Sequence, residues 1–329
     1  MWDIYYLYEY VYSFMLHGDG RPLLIFWEDK GRSLCYAVME SDIADCKGFC
    51  QKLNKGSFFD WETPYGYGGP LINGVLFDEQ QIQFLKELKE YCFEKKIVSQ
   101  FVRFHPLLEN HMAVPLCIEN RYLRDTIYID TASPEIIVAN MDTKNRNMVR
   151  KARKSGVRIE RVPIDDYREF IDIYNETMIK DNADEYYIFN EEYFKSLEMM
   201  KNNACIFYSE YEEIPISGAI VFYNEQYMHY HLAGTRTTFR KFSPSNLLLY
   251  EAACWGCEQG IKKFHLGGGM LPDDNLFLFK KKFNKNGRLP FIVGRTIFDR
   301  ETYKYLCQMR KKIDSSFDEN NNFMIQYRR

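Results

Sequence analysis

Seven basic side chains and no carboxylate fall within KNRNMVRKARKSGVR (144–158): Lys144, Arg146, Arg150, Lys151, Arg153, Lys154 and Arg158. At helical spacing Arg146, Arg150, Arg153 and Lys154 share a face, where several guanidinium forks can meet phosphate oxygens together. A solvated helix face is the ordinary outcome for such a run. Here no acid within it relieves the like-charge repulsion, which favours a phosphate-rich partner. A second basic stretch, HLGGGMLPDDNLFLFKKKFNKNGRLPF (265–291), interleaves Lys280, Lys281, Lys282, Lys285 and Arg288 with aromatic residues after a glycine turn. Lys280 follows Phe279, and a lysine held beside aromatic rings at the end of a cleft can stabilise the oxyanion formed when an acyl ester is attacked. The plainer alternative is a basic surface loop.

In QYMHYHLAGT (226–235) the period of two of a strand puts His229 and His231 on one face and Tyr230 on the other. Histidines aimed into a cleft can orient a substrate or carry a proton, although most buried histidines are simply hydrogen-bonded. No acidic neighbour completes a triad, and neither HExxH nor a Cys/His cluster appears, so no metal is assigned. The nine cysteines have no disulfide-rich spacing, which fits a reducing cytosol. Cys254 and Cys257 form a CxxC inside an apparent helix, with no second pair to complete a zinc site.

These residues must be carried by a chain of 329 residues, enough for about two domains. Apolar residues make up 46% and charged residues 27%, so a sizeable core is expected and disorder is not. The net charge of −3 and pI near 6.1 give no global attraction to nucleic acid or an anionic membrane, so such a partner needs a local patch. Phe, Tyr and Trp supply 16% of the chain, which suits clefts and interfaces but equally an AT-rich genome. No secretory layout and no membrane-spanning apolar run is read, so a soluble, cytoplasmic protein is expected.

Hydrophobic periodicity predicts a hairpin (22–28 and 33–40), a turn-rich segment WETPYGYGGPLING (61–74), a helix near 78–95 and strands at 97–107 and 124–131. A first α/β domain over 1–135 follows from this. The second, 136–292, reads as a basic helix (143–155), a strand (157–162), a helix (165–180), a three-stranded antiparallel meander (204–234), a helix opened by Ser243 and Pro244, and a strand (262–269). The segment 293–329 adds a strand and a helix that can pack back on either half, the first domain being one choice. Strand, helix, three antiparallel strands, helix, strand is the element order of GNAT-type acyltransferases. The fold class expected is α/β with mixed sheets, as tandem GNAT-like domains.

The stretch 144–295 resembles the FemABX family, aminoacyl-tRNA-dependent transferases that build peptidoglycan cross-bridges from two GNAT-like domains. The matching pieces are NRNMVRKARKSGV, NETMIKDNADEYYIFNEEYF, HYHLAGT, SPSNLLLYEAACWG, FHLGGG and LFLFKKKFN, with WETPYGYGGPLIN a looser match to the family's glycine-proline turn. The resemblance implies that the family's Phe-Lys pair falls on Phe279 and Lys280, with Lys280 stabilising the tetrahedral intermediate. It further implies substrate contacts from His229, Tyr230, His231, Lys180, Tyr67 and Asn73. His231 stands where better-known members have Tyr, Lys180 where related sequences often have Arg, and Asn73 where some have Asp. Asn73 cannot act as a base. GNAT enzymes that use CoA usually cradle its pyrophosphate on a Q/R-x-x-G-x-G/A loop. The corresponding GTRTTFRKFSPSN (234–246) keeps Arg236, Arg240 and Lys241 but has no GxG.

The leading expectation is therefore transfer of an aminoacyl group from aminoacyl-tRNA to an amine of a UDP- or lipid-linked peptidoglycan precursor. Lys280 is the catalytic residue, and Arg146, Arg150, Arg153, Lys154, Arg240 and Lys241 are the tRNA or phosphate contacts. No cofactor is expected beyond this co-substrate, and peripheral membrane contact stays open. The alternatives are an acyl-CoA-dependent N-acyltransferase acting on an envelope precursor such as an amino-sugar nucleotide, and a non-catalytic RNA-binding module that stacks bases on exposed aromatic rings.

Overall fold

The computed structural model describes residues 2–49 and 52–329. From the N-terminus come α1 (Tyr8–His17), β1 (Arg21–Asp29), β2 (Arg32–Asp42), β3 (Phe59–Glu62), β4 (Leu71–Asn73), α2 (Asp78–Glu94), β5 (Ile97–Arg103) and β6 (Glu119–Asp130). Next are α3 (Pro134–Asn140), α4 (Thr143–Lys154), β7 (Arg158–Pro163), α5 (Arg168–Lys180), α6 (Glu191–Ser196), β8 (Ala204–Tyr211), β9 (Ile214–Tyr223) and β10 (Tyr227–Thr235). The chain ends with α7 (Pro244–Glu258), β11 (Lys263–Gly267), α8 (Asn275–Lys281), β12 (Arg288–Ile297) and α9 (Arg300–Ile313). The elements form a mixed α/β structure in two compact units, residues 1–123 with 291–329, and residues 124–290. The sequence-based boundary at 135 falls past the end of β6, whose residues Ile127–Asp130 pair with β11 inside the second unit.

In the first unit the strands run β1-β2-β3-β5-β12, with β4 also on β2. The opening hairpin closes through Lys30 (φ 47°) and Gly31 (φ 75°), the left-handed pair that a two-residue turn between twisted strands requires. Its turn is thus two residues, shorter than the four left between the predicted strands. β3 and β5 are parallel, and such a pair needs a crossover, which α2 supplies. Phe84, Leu88 and Cys92, four residues apart on α2, are buried with Leu34, Tyr36, Trp61, Val102 and Phe104. A separate cluster of Ile43, Phe49, Val98, Leu306 and Tyr327 seats α9 and the C-terminal segment in this unit.

In the second unit the order is β6-β11-β10-β9-β8-β7, antiparallel throughout except between β10 and β11. Val149 and Ala152 of α4 and Leu247, Leu248 and Ala252 of α7 pack with Val221, Met228 and Phe264 from the sheet. Phe222, next to Val221, points to the opposite face, where it meets His231 at 4.4 Å between ring centres. The basic helix forms as its pattern predicts, and its chain turns out through Gly156 at φ 87°. The helix start at Pro244 also forms, but Ser243 is left-handed (φ 57°, ψ 45°), so its hydroxyl does not cap α7 and instead reaches Met148 Sδ at 3.5 Å. Cys254 and Cys257 are free thiols within α7. Among the described residues, no helix is long and apolar enough to cross a membrane.

Candidate active site

β10 and β11 are hydrogen-bonded neighbours for three register pairs only, Tyr227 with Lys263, Met228 with Phe264 and His229 with His265. Immediately beyond, β10 shifts register against β9 between Tyr230 and Leu232, and β11 shifts against β6 between His265 and Gly267. A bulge bends its strand and adds local twist. Two bulges at the same level make parallel neighbours diverge, and among the described residues β10 from Tyr230 to Thr235 continues on β9 alone. The second unit thus opens a gap between two adjacent strands at Tyr230.

Lys280 stands at that gap. α8 starts at Asp274, whose carboxylate accepts from the N–H of Phe277 (2.8 Å), Met270 (2.6 Å) and Leu271 (2.9 Å). Burial works to raise the Asp274 pKa, but these backbone donors hold it below the usual carboxylate value. The loop is tied from its other side by Arg124, which donates to the Gly269 carbonyl at 2.6 Å. A Cβ on Gly268 would lie 2.8 Å from the Asp125 carbonyl oxygen, so only glycine fits there. The Gly268 carbonyl, just past β11, accepts from Lys280 Nζ at 2.7 Å, and the ammonium lies 5.7 Å from the Tyr230 ring centre.

Lys280 is only 7% exposed. Burial lowers its pKa to about 8, and Asp274 offsets only part of that fall. An ammonium held by one carbonyl and one aromatic face retains N–H donors for a ligand, since lysine has three. A buried donor fixed at the mouth of an open strand pair can stabilise negative charge developing on an acyl oxygen. Phe279 beside it packs edge-to-face on Phe283 at 5.4 Å, and burial raises the Tyr230 phenol pKa.

The histidines share a face, as the strand period predicts, and it is the face away from Tyr230. His231 Nε2 is 2.6 Å from the Tyr193 hydroxyl of α6. Desolvation, with His229 adding like-charge repulsion, lowers the His231 pKa to about 3. The imidazole is therefore neutral near pH 7 and a weak base, which suits it to accepting or donating a hydrogen bond more than to proton transfer. His229 is buried with its ring 5.7 Å from that of His265, and His265 Nε2 is 2.9 Å from Thr126 Oγ1.

The remaining candidate residues divide between the units. Tyr67 and Asn73 belong to the first, where Tyr67 packs edge-to-face on Tyr5, His105 and Phe291, and exposed Asn73 sits opposite Ser33 in the β2–β4 ladder. Lys180 closes α5 and pairs with Asp181 at 3.1 Å. All three arginines of the basic helix have internal partners, Arg150 only Asn147 Oδ1 of its own helix at 3.3 Å. Arg146 donates to the carbonyls of Val138 (3.1 Å) and Met141 (2.9 Å), tying down the end of α3. Arg153 meets Glu251 of α7 at 2.5 Å and stacks over Tyr250 at 5.2 Å. The relief missing within the run thus comes from another helix. Arg236 is likewise engaged, with Glu169 and with Glu176 at 3.6 Å. Arg150, Lys154, Arg240 and Lys241 are exposed, Lys241 over the Phe242 ring at 5.1 Å.

Sequence reasoning missed three members of the site: the Gly268 carbonyl, the Asp274 cap and Tyr193. A signal existed for Asp274, because an Asp directly before an apolar helical run is a helix-start pattern. None existed for Tyr193, which meets His231 only through the packing of α6 on the sheet.

Residues 140–275 match the model of the acetyltransferase (GNAT) domain. The structure is similar to the crystal structure of FemX, at 14% identity and TM-score 0.65 over 92% of this chain and 94% of that one. It is also similar to L-PGS from Bacillus licheniformis (15% identity, TM-score 0.53, 86% of each chain). A tandem GNAT protein from the clavulanic acid biosynthesis pathway is similar as well (9% identity, TM-score 0.50, 87% of each chain). No curated protein is significantly similar to the chain in sequence. Residues 140–275 form a GNAT acetyltransferase-type domain, which makes this chain an acyltransferase, and its fold is shared with FemX over nearly all of both chains.

Proposed function

We propose that the chain transfers an aminoacyl group from aminoacyl-tRNA to an amine of a peptidoglycan precursor in the cytoplasm. The observation that carries this reading is Lys280, buried and fixed at the β10–β11 gap of a FemX-like fold. The amine nitrogen attacks the ester carbonyl carbon, a C–N bond forms, and the carbonyl electron pair moves onto oxygen, where the Lys280 ammonium stabilises it. Collapse breaks the ester C–O bond, and the proton lost by the amine ends on the departing ribose oxygen. The ester is already activated, so the reaction calls for no ATP. His231 is a weak base and Asn73 is none, so the amine must arrive neutral and placement supplies much of the rate. Exposed Arg150, Lys151 and Lys154 offer the tRNA backbone its contacts.

A second reading is favoured by one observation, the GNAT acetyltransferase match over 140–275: transfer from an acyl-CoA whose phosphates meet Arg240 and Lys241 before α7. A transfer assay with labelled aminoacyl-tRNA, labelled acetyl-CoA in parallel and UDP-linked muramyl pentapeptide as acceptor separates them. Label reaching the peptide from tRNA is the expected result. Transfer from acetyl-CoA alone overturns it in favour of the second reading.

A further inference from the structure

The first unit's strand order starts at β1, and among the described residues only β2 pairs with it, through nine register positions without a bulge. Exposed edges of this length are normally protected by lysine, a bulge, a short strand or a cover, because their free N–H and C=O groups recruit another strand. The centre of β1, Leu23-Leu24-Ile25-Phe26-Trp27, carries no charge, and Leu24 and Phe26 are 70% and 62% exposed.

Two features set which backbone groups face outward. A two-residue turn makes Asp29 and Arg32 a hydrogen-bonded pair, so odd-numbered residues of β1 bond β2 and even-numbered ones point away. Pro22 agrees with this phase, because a residue without N–H is tolerated where its nitrogen faces away from the ladder. The outward backbone groups are therefore those of Pro22, Leu24, Phe26 and Glu28.

This edge is complementary to itself. Antiparallel pairing with a second copy about a two-fold axis at Ile25 sets Leu24 opposite Phe26, Leu23 opposite Trp27 and Arg21 opposite Asp29, each twice. Leu24 and Phe26 then exchange both hydrogen bonds, and Glu28 N–H donates to the Pro22 carbonyl. Shifting the register by two residues in either direction puts Trp27 against Arg21 or Leu23 against Asp29, so apolar and charged side chains meet. We propose that the chain forms a two-fold homodimer in which β1 pairs with β1 of a second copy in this register, an isologous contact independent of the transfer reaction.

Size-exclusion chromatography with light scattering on the full chain tests this. The expected mass is twice the 39.3 kDa of one chain, falling to one chain mass for Phe26→Lys. The pair Leu24→Glu with Phe26→Lys should restore the dimer, since the new acid and base then face each other twice across the axis. In the unaltered protein, dilution should speed amide exchange at Leu24, Phe26 and Glu28 and leave Leu23, Ile25 and Trp27 protected by β2. A single-chain mass at the highest soluble concentration, a dimer indifferent to Phe26→Lys, or exchange at Leu24 and Phe26 that ignores dilution overturns the proposal.

Discussion

Lys280 is a residue whose chemical role depends on what surrounds it. Burial lowers its pKa from the ordinary 10.5 to about 8, so the ammonium that the proposed mechanism sets against the oxyanion is lost as pH rises through about 8. The expected result is a descending limb in kcat near that pH. Lys280→Met should lower kcat by about 10²–10³-fold, as for other oxyanion donors, leave KM nearly unchanged and abolish the limb. The same shift bears on stability. Between about 8 and 10.5 the unfolded chain keeps a proton that the folded chain has released, so stability rises with pH across this window. Urea unfolding should show that rise in the unaltered protein and lose it in Lys280→Met, which should also be the more stable of the two below pH 8. The cations of α4 separate in a similar way. Replacing exposed Arg150 and Lys154 by Ala should reduce the slope of log affinity for tRNA against log salt by about 2. Arg146→Ala should instead cost about 1 kcal/mol of stability, through the α3 carbonyls it holds, with little change in that slope.

Among the elements, the paired bulges of β10 and β11 matter most, because they convert a continuous sheet into a gap beside α8. The loop from Gly267 to Asp274 sets how far Lys280 stands from that gap. Gly268→Ala forces a Cβ to within 2.8 Å of the Asp125 carbonyl and so displaces the carbonyl that holds Lys280 Nζ. A misplacement of about 1 Å at a reacting centre can cost on the order of 10²-fold, and a loss of that order in kcat is expected for this variant. Circular dichroism should show the fold retained, and an unchanged kcat would remove Gly268 from the positioning role. The strands, the meander and the basic helix were legible in the sequence because burial on one or two faces leaves a period that local residues cannot hide. The bulges were not, since Met228 to Leu232 alternates through the bulge and the extra residue shows only against the partner strand.

For the whole molecule, the C-terminal segment belongs with the N-terminal unit, a fact of tertiary structure with measurable weight. Arg328 binds the carboxylate of Asp60, which is 1% exposed and also accepts from Tyr327 Oη at 2.9 Å. Arg328→Ala leaves that buried carboxylate short of its cation and should cost about 3 kcal/mol in urea unfolding. A cost below about 1 kcal/mol would mean that Asp60 is satisfied without Arg328. Composition and periodicity by themselves determined the α/β class and the order of the meander, the basic helix and the strands around them, and the family resemblance pointed to an acyltransferase and to Lys280 as its candidate residue, because each is written in local spacing or in a contiguous motif. Tertiary structure alone decided that Arg146 and Arg153 have internal partners, that Tyr193 meets His231, that His231 stays neutral, and that residues 291–329 complete the first unit. These depend on which distant side chains meet and how much water they exclude, and hydrogen bonding, ion pairing and desolvation act through space with no period along the chain.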